Sequence, residues 1–284
     1  MASRPADEKS APAPGGKSTP AMTTTPPPAR HLETAGASRS LDPDGATGLL
    51  ASAAVRTFLD GCSDDITAAV YDVATGQTSL WRPGVLEYTA SIVKVDILAA
   101  LLSQLQQAGS LLSAAQSALA APMIEQSDDY AATQLWDEIG QQEGLARFDS
   151  QLGLDDTIPG TDGHWGGTQT TAADQVEILR AIVLPNAVLD PASQNYELGL
   201  MESVEPSQAW GISAGVPEGV TLALKNGWLP LEPDGDWQIN SIGWVNGDGR
   251  DYILAVLTKD NPTEASGIDT VQGLSQLVWQ ALAP

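Results

Sequence analysis

The chain has 284 residues, 42% of them apolar, which is enough for one large domain with a sizeable core. It carries 36 acidic and 13 basic residues, a net charge of −23, so its surface repels nucleic acid and anionic lipid. No apolar run approaches the length of a membrane span, and a single cysteine, Cys62, excludes an internal disulfide and any Cys-based metal site.

Residues 1–44 stand apart. They hold 8 of the 19 prolines, and their five acids balance five bases. The run Thr23-Thr24-Thr25-Pro26-Pro27-Pro28 neither packs into a core nor pairs in a sheet, so the segment reads as a disordered, partly extended tether. No basic-then-apolar signal precedes it. Tethers of this kind commonly follow a secretion or lipoprotein signal, so one expectation is a chain trimmed of such a signal.

From Ala46 the pattern becomes regular. Leu50, Ala54 and Phe58 recur at spacing four, which predicts a helix over Ala46–Leu59. Ile66–Val73 and Gln77–Arg82 are short β-rich runs around Thr75-Gly76, a hairpin signal. Ser91–Gln107 is apolar and free of Gly and Pro, and reads as a buried helix. Helical patterns follow at Leu112–Glu125, Tyr130–Ile139, Glu143–Gln151, Thr171–Ile182 and Ala192–Val204. Strand patterns return at Val220–Lys225, Trp237–Val245 and Tyr252–Thr258, and a closing helix spans Ala265–Leu282. This order predicts an α+β fold over residues 45–284: an antiparallel sheet flanked by N- and C-terminal helices, with an all-helical insert over about residues 91–205.

Lysine is scarce in the domain, and three positions hold it: Lys94, Lys225 and Lys259. Lys94 closes the motif Ser91-Ile92-Val93-Lys94 at the start of the buried helix. One helical turn brings the Ser91 hydroxyl and the Lys94 amine to one face. A serine hydroxyl becomes a nucleophile when a neighbour takes its proton, and a lysine does so only when burial or a second cation keeps it neutral. Backbone N–H groups at the helix start are available as oxyanion donors. Alone, the motif also fits a capping serine with a snorkelling lysine, but the neighbours Ile92, Val93, Val95, Ile97 and Leu98 argue for burial. A second constellation is Ser127-Asp128-Asp129 between two helical segments, although the same triplet recurs at Ser63-Asp64-Asp65. A third is Lys225-Asn226-Gly227, at the end of a strand pattern and followed by Trp228. A glycine there lets a substrate approach the backbone closely.

In this order the three motifs resemble the serine β-lactamase and penicillin-binding protein superfamily, with class A β-lactamase the nearest pattern. The resemblance covers about residues 46–283. It extends to Met123–Gln126 before the Ser-Asp pair, Ala131-Ala132 after it, and Thr170-Thr171-Ala172-Ala173 opening a later helix. It implies a serine hydrolase acting on an amide or ester of a small molecule or peptide. Ser91 would be acylated, and Lys94 would act as base or proton relay. Ser127 would pass a proton to the leaving nitrogen, and Lys225 would hold a substrate carboxylate. The backbone N–H groups of Ser91 and Trp228 would form the oxyanion hole, with Asp129, Asn226 and Gly227 lining the substrate. No cofactor and no metal is implied, a monomer is the default, and the superfamily together with the tether points outside the cell or to its envelope.

Four departures from the family pattern limit the expected activity. The stretch Gly153–Thr170, GLDDTIPGTDGHWGGTQT, contains no glutamate where class A enzymes activate the deacylating water, which leaves Asp162 or His164 as candidates for that work, each also reading as a loop residue. The segment between Lys94 and Ser127 is short, so a wall of the cleft is expected to be missing. Asp129 replaces an asparagine that donates to substrate, and its charge is expected to hold Lys94 as the ammonium unless Lys225 or a protonated Asp129 compensates. Asn226 replaces a threonine, and its amide is expected to donate to substrate in the hydroxyl's place. Rapid β-lactam turnover is therefore doubtful. Three outcomes stay open: a hydrolase, a slowly deacylating penicillin-binding or acyl-transfer protein, and a non-catalytic binder of cell-wall peptide or protein on the same fold. A Ser–His–Asp triad through His164 is disfavoured because Ser91 has a nearer base.

Overall fold

The computed structural model describes residues 44–62, 65–231 and 235–283. The expected tether therefore lies outside the described residues, apart from Asp44, as do Ser63 and Asp64 of the second Ser-Asp-Asp triplet.

Among the described residues, seven strands form two sheets. The main sheet is antiparallel and five-stranded, built from β1 (Asp65–Asp72), β2 (Gln77–Trp81), β5 (Thr221–Pro230), β6 (Trp237–Gly247) and β7 (Arg250–Asn261), in the order β2-β1-β7-β6-β5. The central strand β7 is buried on both faces, which explains its unbroken apolar run. Tyr252, Leu254 and Val256 join the core on one side, and Ile253, Ala255 and Leu257 the core on the other. The first core is closed by α1 (Ala53–Leu59) and α8 (Glu264–Ala281), through Val55, Leu59, Val271, Leu274 and Val278.

The second core is covered by the helical block between β3 (Glu87–Tyr88) and β5. Its helices are α2 (Val93–Gln107), α3 (Ala114–Glu125), α4 (Asp129–Ile139), α5 (Gln141–Leu152), α6 (Ala172–Val183) and α7 (Pro191–Met201). Helix α2 is buried from Val93 to Ser103 and packs against α4, α5 and α7. An all-round apolar helix of this kind is what an interior position demands. The predicted α+β architecture with terminal helices on one face is the architecture observed.

Three local expectations need correction. The single helix over Ala46–Leu59 is a 3-10 turn, Gly48–Ala51, followed by α1, because Ser52 takes an extended backbone (φ −65°, ψ 151°) that no helix accommodates. Strand β5 does not end at Lys225 but runs to Pro230, paired with β6 throughout. A two-stranded sheet also ties the insert to the chain just before it, β3 pairing with β4 (Gln169–Thr170); each strand is two residues long, too short for any periodicity to reveal.

Candidate active site

Ser91 sits in a 3-10 turn, Ala90–Ile92, that feeds directly into α2. Ala90 before it holds φ +48°, a left-handed conformation uncommon for a residue with a Cβ. The turn is held from below by the buried Asn240 of β6, whose amide donates to the carbonyls of Tyr88 (2.8 Å) and Thr89 (2.9 Å). Ser127 lies between α3 and α4 and holds φ +57°. The N–H groups of Gln126 and Asp128 both donate to the Pro122 carbonyl, which wraps the chain around Ser127, and Asp128 caps α4 by accepting from Ala131 N–H at 2.7 Å. Left-handed backbone at Ser127 and at Ala90, just before Ser91, is a feature that clusters at functional sites.

The four side chains meet. Lys94 Nζ lies 3.0 Å from Ser91 Oγ, 3.0 Å from Ser127 Oγ, 2.7 Å from the Ser127 carbonyl and 2.6 Å from Asp129 Oδ1. Lys225 Nζ donates to Ser127 Oγ at 2.9 Å and to the Asn226 carbonyl at 2.8 Å. Both lysines have no solvent exposure. Burial holds Lys94 below the usual lysine range, while the hydrogen bond and charge of Asp129 pull the other way. Burial pushes Lys225 well below that range, and the neighbouring Lys94 charge adds to it.

The expected dominance of Asp129 over Lys94 is thus corrected. The two groups are closer than anticipated, but the Asp129 side chain is 77% exposed and its charge is shared with water, so the desolvation of Lys94 decides the direction. One further expectation is corrected by contacts. The Asn226 amide donates to the carbonyls of Gln208 (2.7 Å) and Trp210 (3.0 Å), so both its N–H bonds point into the fold and not to a ligand. Lys225 lies behind Ser127 with no exposed surface, its amine held by Ser127 Oγ and the Asn226 carbonyl.

Gly227 explains itself. A Cβ there would lie 2.8 Å from Ser91 N, 2.8 Å from the Thr89 carbonyl oxygen and 2.9 Å from Ile92 N, so only glycine lets edge strand β5 close onto the nucleophile turn. Trp228 follows it and lines a cleft of about 450 Å³ beside Ser91, with Asp129, His164, Trp165 and Leu229 among the other walls.

The segment Gly153–Thr170 forms the far wall. It closes on itself through paired Ile158–Gln169 backbone bonds (2.7 and 2.9 Å), and Thr89 N–H donates to the Thr168 carbonyl at 2.8 Å. This places the Trp165 ring 4.8 Å from Lys94 Nζ, a cation–π distance, with the indole N–H on Thr133 Oγ1 at 3.2 Å. Asp162 does not line the cleft, whereas His164 does. Trp165 and the brace between Trp210 and Trp228 (6.1 Å between ring centroids) were not foreseen from sequence. An aromatic residue between His164 and a Gly-Gly pair was the available signal for Trp165.

A family model described as the beta-lactamase enzyme family matches residues 110–282, more than half of the chain. The chain belongs to the beta-lactamase enzyme family. Among solved structures it is similar to the TLA-1 extended-spectrum β-lactamase, with a TM-score of 0.74 and 17% identity over 81% of this chain and 97% of that one. It is also similar to a class A β-lactamase from Bacteroides cellulosilyticus, with a TM-score of 0.70 and 16% identity over 80% of this chain and 94% of that one. At these identities the likeness is one of fold, and the fold is that of class A β-lactamases. A Mycobacterium tuberculosis protein bearing the name "Putative lipoprotein LppW" is 27% identical over 219 residues, 72% of this chain and 67% of that protein. No helix among the described residues is long and apolar enough to cross a membrane.

Proposed function

We propose that this family member is a serine hydrolase that forms an acyl-enzyme at Ser91 on an amide or ester, and that it releases the acyl group slowly. The observation that carries this reading is the Ser91 Oγ–Lys94 Nζ distance of 3.0 Å at a lysine kept below its usual pKa range by burial. A neutral Lys94 accepts the Ser91 proton as Oγ attacks the carbonyl. The developing oxyanion is received by the N–H groups of Ser91 and Trp228. Ser127, hydrogen-bonded to Lys94 and Lys225, relays a proton to the leaving nitrogen. Slow release follows from the walls of the cleft: among the described residues no glutamate lines it, and the one carboxylate that does, Asp129, is tied to Lys94. The lipoprotein name of the mycobacterial relative, together with the proline-rich tether, supports a place at the cell envelope.

Intact-mass detection of an adduct with a fluorophosphonate and with a penicillin tests the reading. Stoichiometric labelling is expected, absent in Ser91→Ala, and the decay of the penicillin adduct is expected to take minutes or longer. Adduct decay within seconds would make the protein an efficient hydrolase instead. A folded protein that no probe labels would favour the second reading, a non-catalytic binder, for which the Asp129 clamp and the Trp165 ring over Lys94 are the supporting contacts. Gly227→Ala supplies a companion result. Its Cβ would lie within 3.0 Å of three backbone atoms, so β5 or the Ser91 turn must shift, and fluorophosphonate labelling is expected to slow by about tenfold. An unchanged labelling rate would separate the β5 edge from the chemistry.

A further inference from the structure

Resting on the acyl-enzyme reading above, we infer that Trp165 sets the lifetime of the acyl-enzyme, its indole covering the side of Lys94 from which that base could take up a water. Four oxygens already crowd the Lys94 amine within 3.0 Å: Ser91 Oγ, Ser127 Oγ, the Ser127 carbonyl and Asp129 Oδ1. The Trp165 ring stands over Nζ with its centre 4.8 Å away. Trp165 lines the cleft beside Ser91, whereas Lys94 has no exposed surface. The ring therefore lies between the base and the space where an acyl group would sit.

Hydrolysis of that acyl group has a fixed geometric demand. A water must stand within hydrogen-bond reach of a base and, at the same time, against the ester carbon on Ser91 Oγ. A water about 2.8 Å from Nζ on the line to the ring would lie about 2 Å from the ring centre, far inside van der Waals contact. The indole is also held in place. Its N–H donates to Thr133 Oγ1 at 3.2 Å, and that hydroxyl donates to the Asp129 carbonyl at 2.9 Å, which ties the ring to the first turns of α4. Trp165 opens a 3-10 turn, Trp165–Gly167. Beside this turn the buried Thr168 hydroxyl accepts from Gly160 N–H at 3.0 Å, and a Cβ on Gly160 would collide with the His164 carbonyl. A ring that is only half-buried, yet fixed at its N–H and seated on the amine, is placed to cover the base.

The test follows two Ser91 adducts on the full chain by intact mass, one from benzylpenicillin and one from p-nitrophenyl phenylacetate, after free reagent is removed. In their decay a water oxygen bonds to the ester carbon as its proton passes to Lys94. The bond from that carbon to Ser91 Oγ breaks, and Lys94 returns the proton to Oγ, leaving a free serine and a carboxylic acid. Trp165→Ala is expected to shorten the life of the adducts by about tenfold or more, within the worth of a positioned base. Trp165→Phe keeps a ring over the amine and is expected to stay within about threefold of wild type. A purely structural role would not yield faster decay, because damage to a site slows its chemistry. Fluorophosphonate labelling reports that the site of each variant is assembled. Should Trp165→Ala not be labelled, Trp165→Gln retains an N–H for Thr133 and carries the same expectation. Adducts as long-lived in Trp165→Ala or Trp165→Gln as in wild type, or as short-lived in Trp165→Phe as in Trp165→Ala, would overturn the role of the ring and leave the acyl-enzyme standing. Wild-type adducts lost within seconds would do the same. A wild-type chain in which Ser91 is acylated by neither reagent would overturn both.

Discussion

Lys94→Met is expected to slow acylation of Ser91 by about 10²- to 10⁴-fold, the usual worth of a positioned general base. Methionine keeps the volume and apolar stem of the buried side chain, and Asp129 remains largely solvated, so no buried charge is stranded. The loss should therefore appear in the acylation rate and not in the thermal midpoint. Asp129→Asn is expected to act in the opposite direction. Full Coulombic attraction at about 4 Å and an effective dielectric near 20 would be about 4 kcal/mol, but an exposed partner retains only a fraction of it. Removing the carboxylate then lowers the Lys94 pKa further and moves the acidic limb of acylation to lower pH. Rapid-mixing pH profiles with an ester substrate check both variants. A limb that stays in place in Asp129→Asn, or a Lys94→Met protein that acylates at the wild-type rate, would remove Lys94 from the role of base.

Much of this site was legible in the sequence because its parts obey local rules. The spacing of Ser91 and Lys94 is one helical turn, and the apolar neighbours of Lys94 announced its burial. Gly227 beside a lysine on a strand read as room for a substrate, whereas the close approach that the structure shows there is that of the Ser91 turn. What stayed hidden depends on tertiary placement. Asn226 reads as a donor to substrate until its amide is seen bonded to the Gln208 and Trp210 carbonyls, 18 and 16 residues away. Trp165 is one aromatic in a glycine-rich loop until that loop is anchored at Thr89 and brings the indole over Lys94, 71 positions upstream. The competition between Asp129 and burial at Lys94 turns on the unequal exposure of the two partners, and residue identities carry no record of that.

Stability is expected to fall as pH rises from about 5 to about 8, because the helical block buries carboxyl groups that no cation faces. Asp96 on α2, Asp149 on α5 and Glu197 on α7 are all buried. Asp96 bonds only to the Gln175 amide through one oxygen, and no hydrogen bond reaches either carboxylate oxygen of Asp149 or of Glu197. Burial pushes Asp96 up to about 7 and Asp149 up to about 8, from an ordinary value of 3.8, and raises Glu197 well above 4.5. Between those values the folded chain holds more protons than the unfolded one, so each pH unit gained favours unfolding. Each such group costs about 1.4 kcal/mol per pH unit up to its own folded value, so two or three of them bring a loss on the order of several kcal/mol between pH 5 and 8 and a clearly lower melting temperature. The net charge of −23 acts in the same sense, but salt screens it, whereas the buried groups are screened far less. The slope should therefore persist in about 0.5 M salt, and Asp149→Asn should flatten it. The consequence reaches the site, since Asp96 lies on the helix that carries Lys94, and charging it loosens the packing behind the base. Urea unfolding midpoints that are level or rising across this range in high salt would show that these carboxyls ionise without cost, and that the helical block is less tightly closed than its packing implies.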